Sequence, residues 1–473
     1  MPMNTNQLCE DTAVPLLKWA GDVCDVPAGV QAAAKRQFVD TYGALVGGSS
    51  SPDARTVYEI VVAQGGRSDS LVPGLSADRL PARACGLVLG TMARALDLGP
   101  IHPQALHTAE FTLPALFAAL GLRSETTGSE FLTAFIVGEE AAIRIGKAVN
   151  VIDAGVNPLT DGAHGLFGAT IAVTRLLGLG FQDARHALGI ASVMAPGLSN
   201  AMFHPPTSII KVQHGLIAEL AVSACLFAQA GLTGPTNSVL SGERGYLGLS
   251  CPWETREMAI LDGLNTRWCL EETELKTFAA CRRTHAAVDG LIKLAMNADV
   301  LADQVDEITI DLTEEDFAVV ADPRKGKWQP QTVADRQFSL PFLAAVALVD
   351  REIGPDACIR YSAEQPEIKA LMERVSVRID TSLEPWTART RLMTIAGKTL
   401  EENVSAPRGH PDNPFNDKDL LRRFKNHVAL SPVSICESSV EDVFASCLDL
   451  QDQTNVENTV VQPLCRSEEK FSA

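Results

Sequence analysis

The chain lacks the cysteine–histidine spacings that build a zinc site. It has no Cys-x-x-Cys pair, and its eleven cysteines are scattered through 473 residues. An odd number of cysteines in a chain this large fits reduced thiols better than a disulfide framework. Cys85 and Cys225 fall in helical apolar patterns and read as small core residues. Positive charge is also scarce. The formal net charge is −18 and no basic stripe interrupts it, which argues against nucleic acid and anionic membrane as partners. No uninterrupted apolar run approaches the length of a membrane span, so no transmembrane helix is expected. The amino terminus has no basic start followed by an apolar stretch, so it does not read as a secretory signal. That leaves the cytoplasm as the default compartment, with a short organellar signal still open. No serine sits in a nucleophile elbow and no glycine-rich loop follows a strand, which disfavours hydrolase and nucleotide-binding readings.

What is present is helix upon helix. Over the first 270 or so residues, apolar positions recur at helical spacing, as in VQAAAKRQFVDTYGALVGG, which stops on Gly47-Gly48. Alanine and glycine are abundant on these helices and allow their axes to approach closely. The character changes near residue 270. VDEITIDL and MERVSVRID alternate as strands do, and RTRLMTIAGKTLEENV reads as a hairpin around Ala396-Gly397. FSLPFLAAVALVDREIG between them reads as a helix, and helices return in DNPFNDKDLLRRFKNHVA and SVEDVFASCLDL. The last twenty or so residues read as a loosely held tail. The expected fold is therefore mainly α: a large all-helical domain formed by both chain ends, residues 1–269 and 406–473, with a smaller inserted α+β lid domain over residues 270–405.

Four polar groups interrupt the apolar helices. His102, His107 and Glu110 lie in ALDLGPIHPQALHTAEF, and Asp161 and His164 lie in NPLTDGAHGLFGA. His204, Lys211 and His214 lie in HPPTSIIKVQHG, and Lys276, Arg282, Arg283 and His285 lie in ELKTFAACRRTHAAVDG. Asp161 reads first as the cap of the helix that begins near Gly165. Lys211 and His214, three apart, share a helix face. Together these groups predict a pocket rich in histidine, lysine and arginine and poor in acids. Such a pocket suits a small di- or tricarboxylate: lysine and arginine neutralise carboxylates and stabilise the charge that develops when an α-proton leaves. A histidine or lysine of depressed pKa can take that proton. This chemistry requires no metal.

Seven segments in order, from ALDLGPIHPQALHTAEFTLPALFAA through LKTFAACRRTHAAVDGL to PRGHPDNPFNDKDLLRRF, give the chain a resemblance to the MmgE/PrpD family over nearly its whole length. That family includes 2-methylcitrate dehydratase, cis-aconitate decarboxylase and iminodisuccinate epimerase. The resemblance implies a helical domain with an inserted lid, a homodimer, no metal or organic cofactor, and a site in the cleft between domains. It places His107, His102, Lys211 and His285 as catalytic candidates and Lys276, Arg282, Arg283 and His214 as substrate-binding ones. Two positions depart from the family pattern. Gly99-Pro100 stand where the family has an Asp-Asp pair, and Leu159 stands where it has a histidine. Arg283 occupies a position where an aromatic or other residue is common.

The reading that results is a lyase needing no cofactor, acting on a small di- or tricarboxylate as a dehydratase or decarboxylase does. His285 or Lys211 would remove a proton α to a carboxylate, and His107 or His102 would donate one. An epimerase or isomerase of a dicarboxylate, or a degenerate member that only binds a carboxylate, are the alternatives.

Overall fold

The computed structural model describes residues 11–149, 161–195, 207–250 and 257–465. Leu159 and His204 lie outside these residues.

The chain is mainly helical. Helices α1 (Ala13–Asp22), α2 (Ala28–Gly48), α3 (Pro52–Gln64), α4 (Ala82–Ala95), α5 (Ala109–Leu120), α6 (Gly128–Val149), α7 (Gly162–Leu177) and α8 (Phe181–Met194) are followed by a long helix, Ile209–Gln229. Small residues set how closely they pack. Gly90 of α4 meets Gly215 of the Ile209–Gln229 helix so tightly that a Cβ on Gly90 would lie 2.6 Å from the Gly215 Cα. Only glycines allow the two backbones to touch there. This crossing carries Lys211 and His214 over the carboxyl end of α4.

One hydrophobic core gathers buried side chains from Ala13 to Leu275 and again from Phe415 to Cys465. Phe38 and Tyr42 of α2 sit at its centre, with Phe117, Phe131 and Phe135 edge-on or tilted around them. Phe424, from the Asp417–Val428 helix, closes against Tyr42 at 6.0 Å. A second core draws on residues Phe278 to Val404 together with Ile210. Its sheet has the order β4-β3-β5-β6, built from Val375–Ile379, Val305–Leu312, Ala388–Thr394 and Thr399–Val404. β3 runs parallel to β4 and antiparallel to β5, and β5 pairs antiparallel with β6. The hairpin joining β5 to β6 turns at Gly397, whose φ of 81° only glycine adopts without cost. β5 alternates buried Ala388, Thr390, Leu392 and Thr394 with half-buried neighbours, as a strand with one covered face must. The His285–Asn297 helix lies on that face, and behind it the Leu340–Asp350 helix is almost wholly buried.

Two expectations need correction. The first unit is not all helical, because β1 (Ser70–Val72) and β2 (Ser76–Leu80) form a small hairpin around Gly74. The Val-Pro-Gly turn between short apolar runs explains it. The carboxyl-terminal segment is not a loose tail as far as Cys465: Val456, Val460, Val461 and Leu464 are buried in the first core. The Ile209–Gln229 helix is long and apolar enough to cross a membrane by length and composition, as a core helix can be, and 61% of its most apolar 18-residue window is buried within the protein. Its apolar faces pack on α4, α7 and α8.

Candidate active site

The loop after α4 begins and ends on strained backbone. Asp97 has φ 52° and Leu106 has φ 57°, left-handed values that side-chain-bearing residues adopt at a cost of roughly 1 kcal/mol or more. Long-range bonds hold the loop. Ile101 donates to the Glu274 carbonyl at 2.8 Å and Glu274 donates back to Ile101 at 2.9 Å. His164, near the start of α7, contacts the Ala105 carbonyl through Nε2 at 2.7 Å. The loop therefore lies against the segment that carries Lys276.

A continuous chain of polar contacts follows. Asp161 Oδ2 accepts from His107 Nδ1 at 2.9 Å and from the His107 backbone N–H at 3.3 Å. On the other side of the ring, Nε2 lies 3.2 Å from Lys276 Nζ. Lys276 also donates to Asp97 Oδ1 at 2.5 Å and to the Asp97 carbonyl at 3.2 Å. Three acceptors thus match the three N–H groups of an ammonium. With Nδ1 donating to a carboxylate, the neutral tautomer of His107 leaves a lone pair on Nε2 facing Lys276. Burial pushes the His107 pKa down, Arg94 and Lys276 push it further, and Asp161 opposes them without prevailing. Burial would raise the Asp161 and Asp97 carboxyls. The bond and charge of His107 hold Asp161 well below the usual carboxylate range, and Arg94 and Lys276 do the same for Asp97.

A second group adjoins the first. Glu110, wholly buried on α5, accepts from the Gly99 N–H at 3.1 Å. Its other oxygen lies 3.7 Å from Arg94 Nε and 3.2 Å from His214 Nδ1. Burial tends to raise this carboxyl, but Arg94 and the two histidines bring it below its ordinary value. His214 stacks on Phe111 at 4.2 Å and stands edge-on to His107 at 6.1 Å. Lys211, one turn before His214, faces Asp53 at 3.4 Å. Burial lowers its pKa, and the charges of Arg94 and Asp97 reach it.

His107, His214 and Lys276 therefore come together, with Lys211 at the edge of the same electrostatic neighbourhood. The remaining predicted residues have other partners. His285 Nε2 lies 3.1 Å from the Ala280 carbonyl, and burial followed by Arg282 and Lys276 drives its pKa well below the ordinary imidazole value. Arg282 bonds to Glu274 at 2.6 Å and lies over the Trp386 ring. Arg283 pairs with Asp316, whose second oxygen accepts from the Trp386 N–H at 2.8 Å. His102 faces Glu272 at 3.4 Å, and Glu272 also holds Lys147 at 3.1 Å.

The predicted shortage of acids does not hold. Arg94, Lys276, Arg282 and Arg283 each meet a buried carboxylate, because an unpaired buried cation is costly. Nor does Asp161 cap α7; its side chain makes no cap bond and turns to His107 instead. Arg94 and Asp97 escaped the sequence reading, and Asp161 was read first as a cap, because carboxylates and arginines at helix ends ordinarily serve as caps or solvated charges. The one legible signal was Glu110, a lone acid amid the apolar residues of α5. Among the described residues, no group of three or more His, Cys, Asp or Glu side chains is arranged to hold a metal ion. A separate cleft of about 800 Å³, lined by Lys18, Asp22, Arg123, Glu130 and Arg175 among others, contains no member of the cluster.

Comparison with known proteins agrees with this chain-long organisation. Residues 21–258 match the MmgE/PrpD N-terminal domain and residues 278–450 match the MmgE/PrpD C-terminal domain. The cis-aconitate decarboxylase-like protein oryM of Aspergillus oryzae is 26% identical, with 93% of this chain and 95% of that protein covered. A cis-aconitate decarboxylase of Aspergillus terreus is 25% identical, with 93% of each covered. Two domain matches of this extent, in order along one polypeptide, establish that the chain belongs to the MmgE/PrpD family.

Proposed function

We propose that the protein is a lyase that acts beside a carboxylate of a small di- or tricarboxylic acid, with His107 as the group that moves the proton. The observation that carries this reading is the buried line Asp161–His107–Lys276–Asp97. A neutral imidazole, oriented by a carboxylate and lowered in pKa, is a competent base near neutral pH. When it takes a proton at Nε2, Asp161 holds the resulting imidazolium, and the electron pair left on carbon is delocalised into the adjacent carboxylate. Lys276, which donates to Nε2 in the resting arrangement, turns its N–H towards that developing charge. In a dehydration the pair then expels hydroxide as the alkene forms. In a decarboxylation the sequence runs the other way: His107 first takes a proton from solvent at Nε2, C–C cleavage releases carbon dioxide, and the imidazolium gives that proton to the carbon left with the electron pair. The names of the relatives favour the carboxy-lyase.

In the same proposal, residues 270–405 form a lid over residues 1–269 and 406–473, and the enzyme is a cytoplasmic homodimer. Sizing by light scattering tests the dimer. The activity is tested by incubating the protein with cis-aconitate, citrate and 2-methylcitrate in deuterated water and following the acids by NMR. Appearance of a new alkene or a decarboxylated product is expected. Deuterium exchange without net product would overturn the lyase in favour of an isomerase. Silence across the panel from folded protein would overturn catalysis on these acids.

A further inference from the structure

Eight lysines and arginines among the described residues are buried. Seven of them stand beside a carboxylate, as Arg94, Lys276 and Arg423 do. Lys327 is the exception. It is 4% exposed, and no carboxylate of the described residues lies within ion-pair distance of it. What its ammonium meets is the ring of Phe338, with 5.4 Å from Nζ to the ring centre. A ring face is only a partial counter-charge, and a buried cation without a full one is costly. Nζ is nonetheless not sealed from water, as the unpaired Asp97 Oδ2 and His164 Nδ1 are, so it opens on space that an oxygen of a small anion can occupy.

The loop that carries Lys327 is a built one. Asp322 caps the turn Pro323–Lys325 by accepting from the Arg324 N–H at 3.0 Å. Gly326 reverses the chain at φ 68°, and the Trp328 indole donates to the Ala321 carbonyl at 2.8 Å. Ser339, which caps the Leu340–Asp350 helix, donates through Oγ to the Lys327 carbonyl. Phe338, whose ring the ammonium faces, follows Gln337. The Gln337 carbonyl accepts from the Cys281 N–H at 2.9 Å, and its side-chain amide donates to the Ala95 carbonyl at 3.4 Å. Ala95 ends α4, just before Asp97. The charges of Asp97 and Lys276 reach the Cys281 thiol, and that thiol reaches Lys327. Lys327 is thus tied, through Gln337 and Cys281, to the end of α4 that leads into the His107–Lys276–Asp97 line.

We infer that Lys327 is a substrate-binding residue, whose ammonium receives a carboxylate of the acid on which His107 acts. This rests on the lyase reading and names a group that holds its substrate. The test takes dissociation constants for cis-aconitate, citrate and 2-methylcitrate by calorimetry, with KM in parallel, for the wild-type enzyme, Lys327→Met and Lys327→Arg. For the acid that wild type binds best, Lys327→Met should weaken binding about tenfold or more, and Lys327→Arg, which keeps the charge, should stay within about threefold of wild type. The ligand-free melting temperature of Lys327→Met should not fall, since an apolar chain of similar length replaces an uncompensated buried cation. Unchanged affinity in Lys327→Met overturns the inference. So does a clear fall in its melting temperature or its failure to fold, because Lys327 would then serve the fold. The predicted loss of binding without turnover of any acid by wild type leaves this inference standing and overturns the lyase. Turnover with KM and affinity untouched in Lys327→Met does the reverse, and neither turnover nor binding by wild type overturns both.

Discussion

His107 is held from both sides, by a carboxylate at Nδ1 and an ammonium at Nε2, and this fixes the direction in which its variants must move. Asp161→Asn retains an oxygen to accept from Nδ1 but removes the negative charge that opposes the fall in the His107 pKa. In a dehydration deprotonated His107 is the active form and its low pKa places the acid limb of the rate profile below the ordinary imidazole value of 6.5; in a decarboxylation the protonated form is active and the same pKa sets the alkaline limb. Asp161→Asn should move either limb further towards acid. It should also lower kcat about tenfold to a hundredfold, because the imidazolium loses its counter-charge. A kcat–pH profile of the two enzymes checks both. Glu139, which accepts from Thr108 at 2.7 Å beside His107, has the opposite sign. Burial raises its carboxyl from the ordinary 4.5 to about 7. The unfolded chain ionises first, so stability is complete below pH 4.5, falls as pH rises to about 7 and is flat beyond. Glu139→Gln should therefore gain on the order of 3 kcal/mol at pH 8 and far less at pH 5, as read by urea unfolding. Of these residues, His107, Lys211 and Lys276 were legible as polar interruptions in apolar sequence. The pairings of Asp161 and Asp97 were not, because their partners lie 54 and 179 positions away in sequence, and no local pattern encodes such pairs.

Helices brought their own evidence, since their apolar periodicity and glycine stops are written locally. The strands at 305–312, 375–379, 388–394 and 399–404 were readable by alternation for the same reason. The hairpin at 70–80 was not, because its first strand is three residues long, too short for a period to register. The Gly90–Gly215 crossing could be anticipated only as a general abundance of small residues. Its particular consequence is positional, since it seats Lys211 and His214 above Arg94 and Glu110. A Cβ on Gly215 would lie 2.6 Å from Thr91 Oγ1, so Gly215→Ala must push the helices apart. It should cost about 1–3 kcal/mol and lower turnover beyond what the lost stability explains. A thermal melt and an assay well below the melting temperature separate the two effects.

The two cores differ in how much of the chain each needs. The second draws on residues 278 to 404, with Ile210 as its one outside member among the described residues, whereas the first needs residues on both sides of it. An excised fragment spanning residues 277–405 should give a cooperative melt and dispersed amide resonances. A fragment ending at residue 277 should not, because Phe424, Val443 and Leu450 would be missing from its interior. Arg423 shows the dependence in a single side chain: it holds Asp40 of α2 at 2.8 Å and the Thr277 carbonyl at 3.2 Å. The segment that closes the first core is made long after α2. During synthesis, the side of Tyr42 that meets Phe424 waits uncovered until the Asp417–Val428 helix is made, so a chaperone that shields aromatic faces has a long opportunity here. A message truncated between the codons for Lys276 and Phe415 yields a product with every proposed proton-transfer residue present and no closed interior to hold them.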